Sequence, residues 1–450
     1  MPPVVVLCNR DLRVHDHPAL AEAARRTEQV VPLFVFDTAI LSSGYASPNR
    51  VGFLLEALDD LRGSLRRRGA DLVVRRGDPV AETMAVVERI GAGAIHFSAD
   101  VSGFAQRREQ DLAEACAAAG VGCERFPGVT VVPYDALHTT SGQTYRVFTP
   151  YWRAWSGAHR RPVEALPRPF RLPESVEPGD VPTSDELVPG GRSPDVARGG
   201  EAEARRLLNA WSRSSLADYD TAHDDLASDT SRISPYLHFG CVSALEVVTK
   251  LEKRAGAGSF VRQMCWRDFH HQFTYAFPAI AREDYRSRAD DWSHDNGDLE
   301  AWKQGRTGYP IVDAGMRQLS REGWMHNRAR LITASFLVKD LYVDWRLGAR
   351  HFLDWLVDGD IANNSANWQW VAGTGADTRP NRVLNPLRQA ERFDPEGSYV
   401  RRYVPELGTV AGKAVHQPWM LEANRRRGLD YPEPLVDHQQ AVAAYRARHR

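Results

Sequence analysis

The stretch "VRQMCWRDFHHQF" (261–273) carries Gln263, Trp266, Arg267 and His270 at i, i+3, i+4 and i+7, one stripe if the segment is helical. An amide, an indole, a guanidinium and an imidazole make a poor core face but a good wall for a flat, polar, anionic ligand. A solvated face with one tryptophan turned sideways accounts for the same spacing. In "EGWMHNRARLITASF" (322–336), Trp324, Arg328 and Leu331 share a helical face, and Asn327, Arg330 and Ala334 share its neighbour. The surrounding 303–350 holds nine Lys or Arg against four Asp or Glu, an excess suited to phosphate contacts through counterion release. An ordinary salt-bridged surface helix has the same composition.

Two further stretches add to this set. In "SDTSRISPYLHFG" (228–240), the hydroxyls of Thr230, Ser231 and Ser234 surround Arg232 and Ile233, with Pro235 at a first helical position. Such a helix start can hold a phosphate, or it can be a simple cap. "DGDIANNSANWQW" (358–370) mixes amides with Trp368 and Trp370. A strand would put both indoles on one side, whereas a helix would turn them roughly 200° apart. Each buried amide costs free energy unless its donors and acceptors are matched. No G-x-S-x-G, H-E-x-x-H or carboxylate pair suggests hydrolysis, and lone histidines such as His223 and His351 read as structural. Eight of the twelve tryptophans lie between Trp266 and Trp370. Indole is easily oxidised, so a buried line of tryptophans could carry an electron hole between a redox cofactor and the surface, although helical proteins also use tryptophan for packing.

The elements that must position these residues fall into two kinds. Residues 4–126 alternate β-branched runs ("VVVL", "VVPLFVF", "DLVVRR", "AIHFS", "GCERF") with amphipathic stretches, the pattern of a doubly wound parallel α/β sheet. Neither a G-x-G-x-x-G after the first strand nor a P-loop is present. Residues 160–200 carry eight prolines and read as a connector. From 201 onward the pattern is helical. The expected organisation is an α/β domain over 1–130, a linker over 131–200 and an all-helical domain over 201–450. A net charge of −1 excludes crude polycation binding to nucleic acid or membrane, though not a local basic face. Five scattered cysteines without a C-x-x-C argue against a disulfide framework or a zinc site. No long apolar run or signal-peptide layout occurs, so the cytoplasm is the expected compartment.

Taken in order, "NRDLRVHDHPAL", "TSRISPYLHFG", "WRDFHHQF", "TGYPIVDAGMRQL", "GWMHNRARLITASFLVKDLYVDW", "DGDIANNSANWQW" and "LDYPEPLVDH" resemble the photolyase/cryptochrome family, most closely the bacterial class I cyclobutane pyrimidine dimer photolyases. The resemblance runs over nearly the whole chain. It implies a helical domain holding a U-shaped FAD. Tyr219 and Thr230 to Ser234 match phosphate- and ribose-side contacts, and Asp358, Gly359 and Asp360 match other flavin contacts. Arg330 and Asp358 match a charge pair beside the flavin ring, and Asn364 matches the residue facing flavin N5. Trp368, Trp345 and Trp292 match an electron-transfer triad. Trp266 and Trp370 match the walls of the lesion pocket, with Gln263, Asn327, Arg328 and Leu331 around the flipped dimer; Arg267 and His270 are expected on the same DNA-facing stripe. The implied activity is light-driven repair of pyrimidine dimers in UV-damaged DNA by a monomer, without metal.

This chain departs from the pattern at several points. Gln263 stands where class I enzymes have a glutamate, and cannot share a proton with the dimer radical anion. Leu331 replaces a methionine, a volume-conserving change, and argues against six-four photolyase activity. The turn between Tyr219 and Thr230 is one residue shorter than usual. "GFAQRRE" (103–109) lacks the Asn-Glu pair of folate-binding members, so deazaflavin or a second flavin is favoured over folate as antenna, or no antenna is bound. The rival reading is a cryptochrome-like photoreceptor signalling through a partner. Asn364, the Trp266/Trp370 pair and the short stretch after the last motif favour repair.

Overall fold

The computed structural model describes residues 1–288, 290–293, 296–376 and 379–449. The α/β part is built on five parallel strands: β1 (Val4–Leu7), β2 (Val30–Asp37), β3 (Val73–Gly77), β4 (Ala94–Ser98) and β5 (Gly122–Phe126), in the order β3-β2-β1-β4-β5. Val4 pairs with Val30 on one side and Ala94 on the other, so β1 is central, and every residue of β1 and β2 is buried. Continuous apolar runs such as "VVVL" suit a strand covered on both faces by helices. The strand order reverses beside β1, so the carboxyl ends of β1 and β4 form a topological switch point, where open α/β sheets usually take ligands.

Local chemistry sets the helix starts. Ser47, Asp78 and Ser102 cap the helices Pro48–Arg66, Pro79–Ile90 and Gly103–Ala119 with side-chain oxygens, and proline occupies the first turn of the first two. The proline-rich stretch is not a slack tether. The Pro178 carbonyl accepts from Val74 N–H at 2.7 Å and the Arg171 carbonyl from Val30 N–H at 3.2 Å, which covers backbone that β3 and β2 would otherwise expose. The expected linker also contributes, before the prolines, the helix Phe148–Ser156, whose Tyr151 and Trp155 lie deep in the core.

The two parts share one apolar core running from Val4 and Leu12 through Trp155 to Tyr236, Val248 and Phe269. Polar clamps fix their docking. The Arg13 guanidinium, 1% exposed, donates to the carbonyls of Asp16, Gly128 and Gly240. Arg161, Ser243 and Glu164 N–H all donate to Asp16. Asp268, fully buried, accepts from Val131 N–H, Val132 N–H and Trp155 Nε1. Gly240 has φ +68°, and a Cβ there would lie 1.9 Å from the Arg10 carbonyl, so only glycine permits this approach. The motif "NRDLRVHDHPAL" is therefore a docking element. A second core cluster, with Trp302, Trp345 and Trp368, fills the helical part.

Candidate flavin and nucleic-acid site

The stretch 361–372 is a helix, so the two tryptophans of "WQW" diverge. Asp360 caps its start by accepting from Asn363 N–H at 2.8 Å, and Gly373 at φ +85° ends it. Trp368 turns inward, 2% exposed, while Trp370 is half-buried at the rim. The amides are matched. Asn363 Oδ1 meets His270 Nδ1 at 3.0 Å, Asn364 Nδ2 donates to the Ala349 carbonyl at 3.1 Å, and Asn367 Nδ2 to the Asn363 carbonyl at 2.8 Å. Gln369 Nε2 donates to Ile280 and Glu283 carbonyls while its Oε1 accepts from Tyr285 N–H. An amide-rich helix is thus a means of tying neighbouring helices and irregular backbone to itself.

The helices Ala257–Ala276 and Asn327–Ser335 both pack on this one. Arg330 Nη2 makes a two-pronged pair with Asp358, 3.0 and 2.8 Å, and its Nε donates to the Met325 carbonyl. Trp324 Nε1 donates to Ser234 Oγ at 3.1 Å, and Arg232, at φ +48°, stacks on Trp324 at 4.5 Å while pairing with Glu322 at 2.8 Å. The turn Ala227–Thr230, Arg232, Trp324 and His326 line one polar cleft. Thr230, Ser231, Arg232 and Ser234 lie at or beside this cleft, and Ile233 is in the core. Tyr219 packs on Trp211 and Phe260 beside this turn. The hydroxyls and guanidinium of this turn, with Asn364 and the Arg330–Asp358 pair elsewhere in the helical part, offer donors and acceptors that suit an anionic, hydrogen-bonding flavin nucleotide.

Four expected site residues have other employment. The 257–276 helix plunges into the protein, so its stripe starts in solvent at Gln263, passes half-buried Trp266 and ends buried. Arg267 spends its guanidinium on the Val129 and Leu237 carbonyls, and His270 is enclosed against Asn363; neither faces a DNA surface. Both Asp360 oxygens are engaged, one by Asn363 and the other by Arg10 and His271. Burial alone would raise this carboxyl, but Arg10, His271 and His238 hold it well below the usual range. Gly359 faces the α/β domain: its carbonyl takes the Tyr45 hydroxyl at 2.7 Å, and a Cβ would crowd Arg50 Nη1 at 2.9 Å.

Gln263 and Asn327 are exposed, and Leu331 and Trp370 half-buried. Trp266 stacks face to face on Phe148 at 3.5 Å. Arg328 pairs with Asp224 and lies over the Phe393 ring at 4.3 Å, so a phosphate must compete with Asp224 for it. Arg382, which sequence reasoning missed, places its guanidinium 5.0 Å over Trp370 and is exposed.

Trp345 and Trp368 lie in the core of the helical part, with Trp292 packed against it. Gly348 makes room for Trp368: a Cβ there would lie 2.3 Å from the indole. Trp345, 1% exposed, begins the helix Trp345–Trp355 that packs on the Trp368 helix, and its Nε1 donates to Asp284 at 2.8 Å. Trp292 is half-buried, held beside this helix start by Ser293 N–H to the Tyr342 carbonyl at 2.8 Å. The order of burial, from Trp368 and Trp345 to Trp292, runs from interior to surface.

A separate open cavity of about 570 Å³ lies between the carboxyl ends of β4 and β5 and the helical part, lined by Phe97, Gln106, Arg107, Glu109, Arg125 and Tyr275 among others. Burial pushes the Glu109 carboxyl up to about 7, although its Oε1 accepts from Asp100 N–H at 2.8 Å. Among the described residues, Cys8, Asp11 and His17 are the one group close enough to share a metal. His17 Nδ1 accepts from Leu20 N–H, so the ring proton sits on Nε2, 3.3 Å from Asp11. His17 Nε2 and Asp11 Oδ2 are both buried without a hydrogen-bond partner among the described residues.

A parallel α/β domain clamped to a helical domain, with an amide- and arginine-lined cleft and a tryptophan line behind it, defines a class of two-domain flavoproteins. The chain belongs to the DNA photolyase/cryptochrome family. Residues 4–169 match the family model described as DNA photolyase, and residues 260–450 that of the FAD binding domain of DNA photolyase. A deoxyribodipyrimidine photo-lyase from Streptomyces griseus is 51% identical, over 99% of this chain and 98% of its own. A solved bacterial class III photolyase from Agrobacterium tumefaciens has TM-score 0.92 at 32% identity, over 100% of this chain and 97% of that one. An archaeal photolyase from Sulfolobus tokodaii, described with two FAD molecules, has TM-score 0.86 at 32% identity over 99% of both chains.

Proposed function

We propose that this protein is a light-dependent carbon–carbon lyase that splits cyclobutane pyrimidine dimers in UV-damaged DNA. The observation that supports the reading is the packing of the helices 257–276 and 327–335 on the helix 361–372, which gathers Trp266, the Arg330–Asp358 pair, Asn364 and Trp370 in one part of the molecule. FAD, when bound there in its reduced state, supplies a reversible light-driven one-electron donation. The chain's own work is placement. Asn364 has its amide donor tied to Ala349, so Oδ1 is left to accept from an N–H of the flavin ring. Arg330 and Asp358 would together present a cation and an anion to the cofactor. Enzymes that act on a base inside a duplex, photolyases among them, take the target out of the stack, and the eversion step follows that general case. Trp266 and Trp370 offer flat faces to the everted dimer. Gln263 offers a donor and an acceptor to the dimer without an acidic proton. Arg382 and, once released from Asp224, Arg328 meet phosphates. Trp368, Trp345 and Trp292 carry electrons inward to restore the reduced cofactor.

The cavity beside Glu109 is proposed as the chamber of a second, light-harvesting chromophore, a deazaflavin or flavin in preference to folate. No helix among the described residues is long and apolar enough to cross a membrane. The same reading has the protein work as a monomer in the cytoplasm, at the nucleoid when DNA is damaged. Purified, FAD-loaded protein mixed with dimer-containing oligothymidylate tests it. Thymine absorbance is expected to recover under blue light and not in darkness; tight binding with no recovery in light is the behaviour of a photoreceptor and contradicts repair.

A further inference from the structure

The turn 379–382, which places Arg382 over Trp370, is anchored from below by two cations. Lys339, 1% exposed, belongs to the π-helical turn Phe336–Asp340. Its Nζ donates to the Ala372 carbonyl at 2.9 Å, the Pro380 carbonyl at 3.4 Å and the Tyr445 hydroxyl at 2.6 Å. Arg288 reaches the same turn from another segment. Its Nη1 donates to the Pro380 carbonyl at 3.5 Å and the Tyr445 hydroxyl at 3.3 Å, and its Nη2 to Asn381 Oδ1 at 2.7 Å. Tyr445, 2% exposed, comes from the helix His438–Arg448. Beyond the turn, Leu384 N–H donates to Ser335 Oγ at 3.2 Å and ties down its return.

An ammonium group in the interior costs free energy unless its three N–H bonds find acceptors, and Lys339 has three oxygens before it. Two of them are main-chain carbonyls from separate places: Ala372 ends the helix that carries Trp368 and Trp370, and Pro380 lies in the turn. Lys339 therefore joins the helix end to the turn, and its charge suits the carbonyl end of that helix. Gly373 permits the approach. At φ +85°, a Cβ there would lie 2.3 Å from the Pro380 carbonyl oxygen and 2.5 Å from Arg288 Nη1. With Pro380 and Asn381 held, Arg382 follows directly, exposed, with its guanidinium 5.0 Å over the Trp370 ring. An arginine on a slack loop loses both side-chain and loop freedom when it meets a phosphate. One whose backbone is already fixed loses less, and binds correspondingly better.

We propose that Lys339 and Arg288 are positioning residues for DNA capture. They fix the 379–382 turn against the end of the Trp370 helix and so hold Arg382 on the Trp370 ring, ready for a phosphate of the damaged strand. This rests on the reading of Trp370 and Arg382 as part of the DNA-facing surface. The contact itself, guanidinium on phosphate, is made by Arg382; the two side chains beneath it set how much ordering that contact must still overcome. Removing either one therefore acts through Arg382, not in addition to it. Direct attraction between these two cations and DNA would instead sum with the loss of Arg382.

A double-mutant cycle on the FAD-loaded full chain, titrated with a dimer-containing duplex at several salt concentrations, tests this. Arg382→Ala, Lys339→Met and Arg288→Met are each expected to weaken binding about tenfold. Each is expected to lower the slope of log K against log salt by about 0.9, which a protein merely loosened elsewhere would not do. Combining either anchor variant with Arg382→Ala is expected to add nothing further. Should Lys339→Met fail to fold, Arg288→Met decides alone, since Arg288 is half-buried and ends on the exposed Asn381. Parental affinity and slope in Arg288→Met, or losses that sum fully with Arg382→Ala, overturn the proposal and leave Arg382 as a DNA contact. Arg382→Ala indistinguishable from the parent removes Arg382 from the DNA contacts, and the proposal falls with it. A parent that does not bind the dimer-containing duplex at all overturns the repair reading itself.

Discussion

In the proposed repair reading, Asn364, Gln263 and Arg382 divide the work of the site. Helical spacing in the sequence gathers Gln263 and Trp266, and the helix Ala257–Ala276 carries both. Arg382 was not legible in the sequence, since nothing in "RPNRVLNP" says that its guanidinium folds back over Trp370. Nor was Asp284, which Trp345 meets across 61 positions of the chain. Arg382→Ala is expected to weaken binding of dimer-containing duplex and reduce the slope of log K against log salt by about 0.9, one phosphate contact's worth; titration at several salt concentrations measures it. Glu109 gives a pH signature. Its raised value means that the folded protein holds this proton more tightly than the unfolded chain does. Its contribution to stability is therefore fully present below the ordinary carboxyl range and falls as pH rises toward about 7. The melting temperature of Glu109→Gln is expected to exceed the parent's above neutrality and to converge with it near about pH 4.

Among the elements, the 361–372 helix was ambiguous by periodicity, since Trp368 and Trp370 suit a strand face equally well. Its caps settle it: Asp360 before the run and Gly373 after it are helix signals that the aromatic spacing obscured. The π-turn at Phe336–Asp340 left no comparable mark. Within the 361–372 helix Gln369 is the staple, holding two carbonyls and one N–H of the 280–285 segment. Gln369→Leu keeps the bulk and strands those groups, so a loss of about 3 kcal/mol is expected in chemical denaturation. Gly348→Ala forces a methyl against the Trp368 ring. A cost of about 1–3 kcal/mol is expected, together with altered tryptophan radical yield on illumination.

For the whole molecule, the class of each half was readable: alternating β-branched runs give a parallel sheet, and a long helical tract gives the second part. The strand order and the mode of docking were not. Buried runs such as "VVVL" look alike whichever neighbours they have, and Arg13, Asp16 and Asp268 sit in motifs that read as surface charge until three-dimensional partners are supplied. Arg13→Met removes the donor from three buried carbonyls between the two parts. A loss of at least about 3 kcal/mol is expected, with calorimetry showing a split or broadened transition in place of one.

Repair by this molecule turns on an electron crossing from the cleft to an everted lesion. The most direct measurement is the fluorescence of the fully reduced flavin in the loaded protein, titrated anaerobically with matched oligothymidylates. Quenching by the dimer-containing strand and none by the undamaged strand is the expected result. Equal fluorescence with both, at concentrations where the damaged strand is demonstrably bound, would contradict it.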